Sequence, residues 1–165
     1  MRAEDADLIL MKSVQEWLAE YGESHQNETN KLFHWLGIPV IMFSLLGLLS
    51  EVPLPFLRWS PLTNLSVLFI VLALVFYLRL SVTLATGMAL ISAAMVCGHL
   101  ILRHLGWAPL WQICLGLFVV GWVGQFVGHK IEGQKPSFLK DIQFLLIGPL
   151  WLLAAVYRRV GIPYR

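Results

Sequence analysis

An all-α, polytopic membrane helical bundle is the fold class this sequence predicts. Of its 165 residues, 58% are hydrophobic and only 13% are charged, against about 45–50% apolar residues in an ordinary soluble domain. Mean hydropathy is +0.71. The apolar residues gather into about four to five segments separated by Pro, Gly and charged breaks, and an amphipathic N-terminal helix precedes them. The chain therefore reads as a single integral membrane domain over 1–165. Within it, 1–34 is an interfacial or cytoplasmic N-terminal segment and 35–157 an apolar helical bundle.

The amphipathic helix is predicted because Leu8, Met11, Val14, Leu18 and Tyr21 recur every three or four residues, behind an acidic start, Glu4-Asp5-Ala6-Asp7. Its polar face is acidic, which suits docking on the protein better than gripping anionic lipid. Gly22 to Asn30 interrupts the pattern with turn and capping residues. Phe33–Ser50 then forms an apolar segment slightly short of the roughly 20 residues that cross a bilayer core. Pro53, Pro55 and Pro61 mark a loop before Leu62–Leu80, with Trp59 as an interfacial anchor. Arg79 separates that stretch from Ser81–Leu102, and Arg103-His104-Leu105-Gly106 is a further polar break. Trp107–Gly128 is the fourth segment, and Ile142–Val156 a short fifth one ending in Tyr157-Arg158-Arg159.

A formal charge of +2, with basic residues scattered rather than clustered, excludes nucleic acid as a partner. Cys97 and Cys114 fall in apolar segments without C-x-x-C spacing and read as small buried hydrophobes. Seven acidic residues in the first 34 and no early apolar core argue against a cleaved signal peptide, and the amino terminus is expected on the cytoplasmic side. The host membrane would be a bacterial inner membrane or an endoplasmic reticulum.

Polar residues bracket the apolar middle: Tyr21, His25, Asn30 and His34 before it, and Gln125, His129 and Glu132 near its far end. If the first segment runs outward, the fourth returns, so both groups reach the same side and three imidazoles and a carboxylate could hold a metal between helices. By the same count His99 and His104 lie at the opposite end. So would Arg58, Arg103, Arg158, Arg159 and Arg165, nearly cancelling the positive-inside bias.

Trp122, Gln125, His129 and Glu132 share one helical stripe, and Gln125, about 6 Å deeper than His129, needs a polar partner. Asn30 precedes His34, and Gln125 precedes His129, by four residues, so each amide could orient its histidine or touch substrate. His25 and His34 are nine residues apart and can share a metal only if the chain breaks between them, with Asn27 or Thr29 capping the next helix. Taken singly, His25 is also readable as an exposed loop residue and His34 as a boundary histidine beside Trp35.

These residues carry a resemblance. Tyr21-x3-His25-x4-Asn30-x3-His34-x2-Gly37-x-Pro39, followed by Trp122-x2-Gln125-Phe126-x-Gly128-His129-x2-Glu132-x3-Pro136, resembles the paired signatures of the yeast-type 2-hydroxy fatty acid dioxygenases over about residues 15–160. Ser137 is a small departure where many relatives have alanine. The resemblance implies an Fe(II)-dependent membrane enzyme of fatty acid α-oxidation, as in phytosphingosine breakdown. It would shorten a 2-hydroxy long-chain fatty acid by one carbon, with O2 as co-substrate. His25, His34, His129 and Glu132 carry over as metal-binding and catalytic residues, and Tyr21, Asn30 and Gln125 stand beside them as supporting or substrate-contacting residues.

The chemistry agrees with the rest of the sequence. Oxidising a 2-hydroxy acid to CO2 and the shorter acid releases four electrons, the number that reduces O2 to water, so no G-x-G-x-x-G, P-loop or haem-attachment pair is needed. Imidazole and carboxylate ligands with open positions suit non-haem Fe(II). Apolar helices would hold the acyl chain, and Lys130 or Lys135 could steer the carboxylate. The residue types alone also admit a zinc-dependent membrane lipid hydrolase, or a non-catalytic structural or transport protein whose polar residues join helices.

Overall fold

The computed structural model describes residues 12–54, 63–135 and 143–164. Leu8, Met11 and the acidic start, Pro55, Arg58, Trp59, Pro61, Pro136, Ser137 and Arg165 lie outside them. Helix α1, Val14–Glu23, begins where Ser13 adopts extended backbone (φ −67°, ψ 160°). The Ser13 hydroxyl accepts the Glu16 N–H, and the Glu16 carboxylate accepts the Ser13 N–H at 2.6 Å. This reciprocal cap satisfies two otherwise orphaned donors. It also corrects the expectation of one unbroken helix through Met11 and Val14, because Ser13 is not helical. The apolar face of α1 buries Val14, Trp17, Leu18 and Tyr21 and docks on the last helix, as its acidic polar face suggests.

Helix α2, Glu28–Ser50, starts five residues before the expected Phe33, because the Asn27 side chain accepts the N–H groups of Thr29 and Asn30 and so caps a polar first turn. With 23 residues it rises about 34 Å, enough for a hydrocarbon core of about 30 Å. The expected boundary at 34/35 thus falls inside one continuous helix.

Helix α3, Leu65–Leu80, is capped by Asn64, and α4 is Val82–Leu105. The break between them sits at Ser81, extended at φ −166°, whose hydroxyl caps α4; Arg79 is still helical in the last turn of α3. Helix α5 is Leu110–Glu132 and α6 is Phe144–Val160; each ends on a glycine in left-handed backbone, Gly133 and Gly161. Among the described residues three helices, α2, α4 and α5, are long and apolar enough to cross a membrane, while α3 is equally apolar but has 16 residues. All described elements are helical apart from an isolated bridge between Pro53 and Asn64.

The closest helix pair is α2 with α5, antiparallel. Glycines on both faces allow it: a Cβ on Gly37 would collide with the Gln125 amide, one on Gly47 with Cys114 Sγ, and one on Gly121 would lie 2.7 Å from Ile41. Small residues let apolar helices approach where lipid supplies no hydrophobic drive for association.

Helix α6 is the most deeply buried element, with Ile147, Leu150 and Ala154 fully enclosed. It does not return through the bundle. Gly148 meets Tyr21 and Ile38, the Leu146 carbonyl accepts the Tyr77 hydroxyl, Tyr157 and Leu153 close on Gly87, and Arg159 lies over the Trp35 ring. Every one of these partners belongs to the end of its helix nearest His34, so α6 lies across that end of the bundle. Arg158 and Arg159, expected at the opposite end, are therefore on the histidine side.

Candidate metal centre

Folding brings three buried imidazoles together: His25 from the α1–α2 turn, His34 from α2 and His129 from α5, at 1%, 1% and 4% exposure. Each offers a ring nitrogen lying within 4.8 Å of the other two. Ring centroids are 4.1 Å apart for His25–His34, 4.8 Å for His34–His129 and 5.1 Å for His25–His129, all edge to face. The chain break at Ser24 to Asn27 is what lets His25 and His34 share a centre despite their nine-residue spacing.

The surroundings fix how the rings present themselves. His25 Nδ1 donates to the Tyr21 carbonyl at 2.5 Å and His34 Nδ1 to the Asn30 carbonyl at 2.9 Å, which leaves each Nε2 with a free lone pair. His25 Nε2 and His129 Nδ1 are buried with no hydrogen-bond partner among the described residues. Orphaned buried nitrogens are costly unless a ligand completes them, and three imidazoles are a donor set that suits a transition metal. Burial pushes the His25 pKa down, against opposing pulls from the Tyr21 carbonyl and the Glu132 carboxylate, so the ring stays neutral and able to ligate. The Tyr21 ring stacks on His25 at 4.2 Å, and burial pushes its phenol up, keeping it a neutral donor.

Glu132 stands beside the three histidines as a hydrogen-bond acceptor. Its two oxygens accept the Gln26 and Asn27 N–H groups, both at 2.9 Å, and the Asn30 amide at 3.0 Å. They stand outside the group of nitrogens that could surround an ion. A carboxylate already engaged by three donors acts here as a clamp, tying the turn that carries His25 to the end of the helix that carries His129. Asn30, fully buried, adds a bond from its amide to the Ser24 carbonyl. Gln125, buried one turn below His129, donates to the Phe33 carbonyl at 3.0 Å, so the amide that needed a partner joins α5 to α2. Trp122 lies on the same stripe and is partly buried. Lys130 and Lys135 are exposed.

His99 and His104 stay apart from the centre. His99 bonds the Phe43 carbonyl at 2.9 Å near the far end of α4, and His104 is exposed. The contribution of α6 was not legible beforehand: Trp151 packs on His25 at 5.6 Å and on Tyr21 at 5.7 Å. Its only sequence signal is an aromatic inside a short apolar segment, which equally fits a lipid-facing position.

Asn30→Ala and Glu132→Ala are each expected to weaken metal binding by about 10–100-fold, the usual cost of losing a group that orients a ligand. Gln125→Ala is expected to do the same through α5. Metal titration of the purified variants checks this, and wild-type affinity in all three would reduce these residues to helix joints.

The centre stands at the polar end of an apolar cavity of about 390 Å³, lined by Ile38, Met42, Ala73, Met88 and Phe144 among others. An all-helical protein with three membrane-length apolar helices and a buried three-histidine centre opening on an apolar cavity is the class that fold and site define. The chain belongs to the 2-hydroxy-palmitic acid dioxygenase Mpo1-like family, whose model matches residues 11–160. It is 28% identical over 146 residues to the 2-hydroxy-palmitic acid dioxygenase MPO1 of Saccharomyces cerevisiae, covering 87% of this chain and 79% of that protein. No solved structure matches.

Proposed function

We propose that the protein is a membrane-embedded, Fe(II)-dependent dioxygenase that converts a 2-hydroxy long-chain fatty acid to the acid one carbon shorter, with O2 as co-substrate. The observation that carries the reading is the convergence of His25, His34 and His129 at the polar end of an apolar cavity. Family membership and the activity named for the yeast relative support it. The three histidines would be the metal ligands, with Glu132 holding their geometry. Fe(II) bound there would supply redox chemistry toward O2 at a centre with open coordination positions.

The protein's own part is orientation and exclusion. The Tyr21 and Asn30 carbonyls hold two imidazoles in one tautomer, and Trp151 and Tyr21 wall off His25 from water. The Tyr21 and Gln125 side chains line the cavity beside the histidines, where a neutral phenol can donate to a carboxylate and an amide oxygen can accept a 2-hydroxyl. The apolar walls take the acyl tail.

The basic residues support a cytoplasmic centre. Among the described residues, Lys12, Lys31, Arg79, Lys130, Lys135, Arg158 and Arg159 lie toward the histidine end, and Arg103 toward the other, where it pairs with Glu51 at 2.6 Å. Positive charge favours the cytoplasmic face. To test the function, the purified protein is loaded anaerobically with Fe(II), given a 2-hydroxy long-chain acid in air, and the products are read by mass. Appearance of the acid one carbon shorter, and no product from the matching acid without the hydroxyl, is expected. Recovery of unaltered 2-hydroxy acid would overturn the reading.

A further inference from the structure

The cavity runs inward from the histidines, and residues of four helices line its inner end. Counting from the histidines, Leu45 lies eleven residues along α2 from His34, and Phe118 lies eleven residues back along α5 from His129. At the helical rise this is about 16 Å. Phe69 of α3 and Ser92 of α4 line the same deep region, eight residues from Tyr77 and ten from the start of α4. The Phe118 ring is braced edge-on against Trp122, with centroids 6.0 Å apart. About 16 Å is also half of a hydrocarbon core of about 30 Å, the depth that one membrane-lipid acyl tail fills.

We propose that Leu45, Phe69, Ser92 and Phe118 form a molecular ruler that sets the longest acyl chain the cavity accepts. The proposal rests on the reading of the cavity as an acyl site. Its form follows from the surroundings: a tail moving from bilayer to cavity exchanges one apolar environment for another, so added methylenes gain little. Discrimination must come from the inner end, where a chain that is too long is overpacked. The signature is a cut-off at the long end rather than an optimum.

The test uses the full-length protein in lipid nanodiscs and measures displacement of a fluorescent fatty acid by saturated 2-hydroxy acids of graded length. Affinity is expected to be nearly flat up to a long-chain limit, then to fall by about 5- to 150-fold, the fold-change corresponding to ~1–3 kcal/mol of overpacking. Ser92→Phe should move the limit to shorter chains and Phe118→Ala to longer ones. Retained metal content reports that each variant is folded, and Phe118→Ala keeps the test decisive if Ser92→Phe does not fold. An unmoved limit in the folded variants overturns the ruler. Because binding needs no turnover, a limit that shifts without chain shortening sinks the dioxygenase reading alone, whereas shortening with an unmoved limit sinks the ruler alone.

Discussion

Replacing His25, His34 or His129 by alanine, one at a time, is expected to abolish turnover and to remove bound metal from the purified protein. Each ring supplies one of three nitrogens within 4.8 Å of one another, and among the described residues no other His, Cys, Asp or Glu joins them. Loss of one leaves two donors and a gap that water would fill. The effect should therefore exceed the roughly 100-fold that losing an orienting partner costs. His99→Ala and His104→Ala are the controls. The first removes a bond to the Phe43 carbonyl and loosens the contact around Gly47, so it should lower stability, yet leave metal per folded molecule unchanged. His104 is exposed and should leave both unchanged. Elemental analysis together with a thermal melt separates the two effects. Wild-type metal content in any one of the first three variants would remove that histidine from the centre.

How far the site was legible follows from what local pattern can encode. An even number of segments between His34 and His129 is countable from hydropathy, and that count alone puts both on one side. A cap at Asn27 or Thr29 was readable because a short polar side chain ahead of a helical run has few other uses, and the structure places it at Asn27. The clamp by Glu132 was not readable: two of its three partners are backbone N–H groups more than a hundred residues away, and any residue type there would supply them. The carboxylate was read as a ligand alongside the three imidazoles, and spacing on α5 places it one turn from His129.

Helix α6 escaped for a different reason. Apolar composition reports that a segment avoids water and does not say whether lipid or protein covers it. Ile142–Val156 was read as one more segment with its arginines at the far side, while the helix there, Phe144–Val160, lies across the histidine end under α1 and supplies Trp151 to the site. With that placement Arg158 and Arg159 join the histidine end, and among the described basic residues Arg103 stays at the other.

Oxygen dependence should be as complete as the loss on removing a histidine. A 2-hydroxy acid plus O2 balances to the acid one carbon shorter, CO2 and water, so the four electrons released by the substrate are the four that O2 takes up. No external reductant enters the balance. The Fe(II)-loaded protein is therefore expected to consume about one O2 per shortened acid with no reductant added, and to stop under strict anaerobiosis, as a non-haem iron centre with open positions requires. Zinc has no redox chemistry, and although three imidazoles suit it as a ligand set, a zinc-loaded centre should be silent toward the same substrate. Simultaneous recording of O2 by electrode and product by mass makes the stoichiometry direct. Equal turnover with zinc, or product formed without O2, would exclude dioxygen chemistry and turn the same three histidines into the centre of a hydrolase.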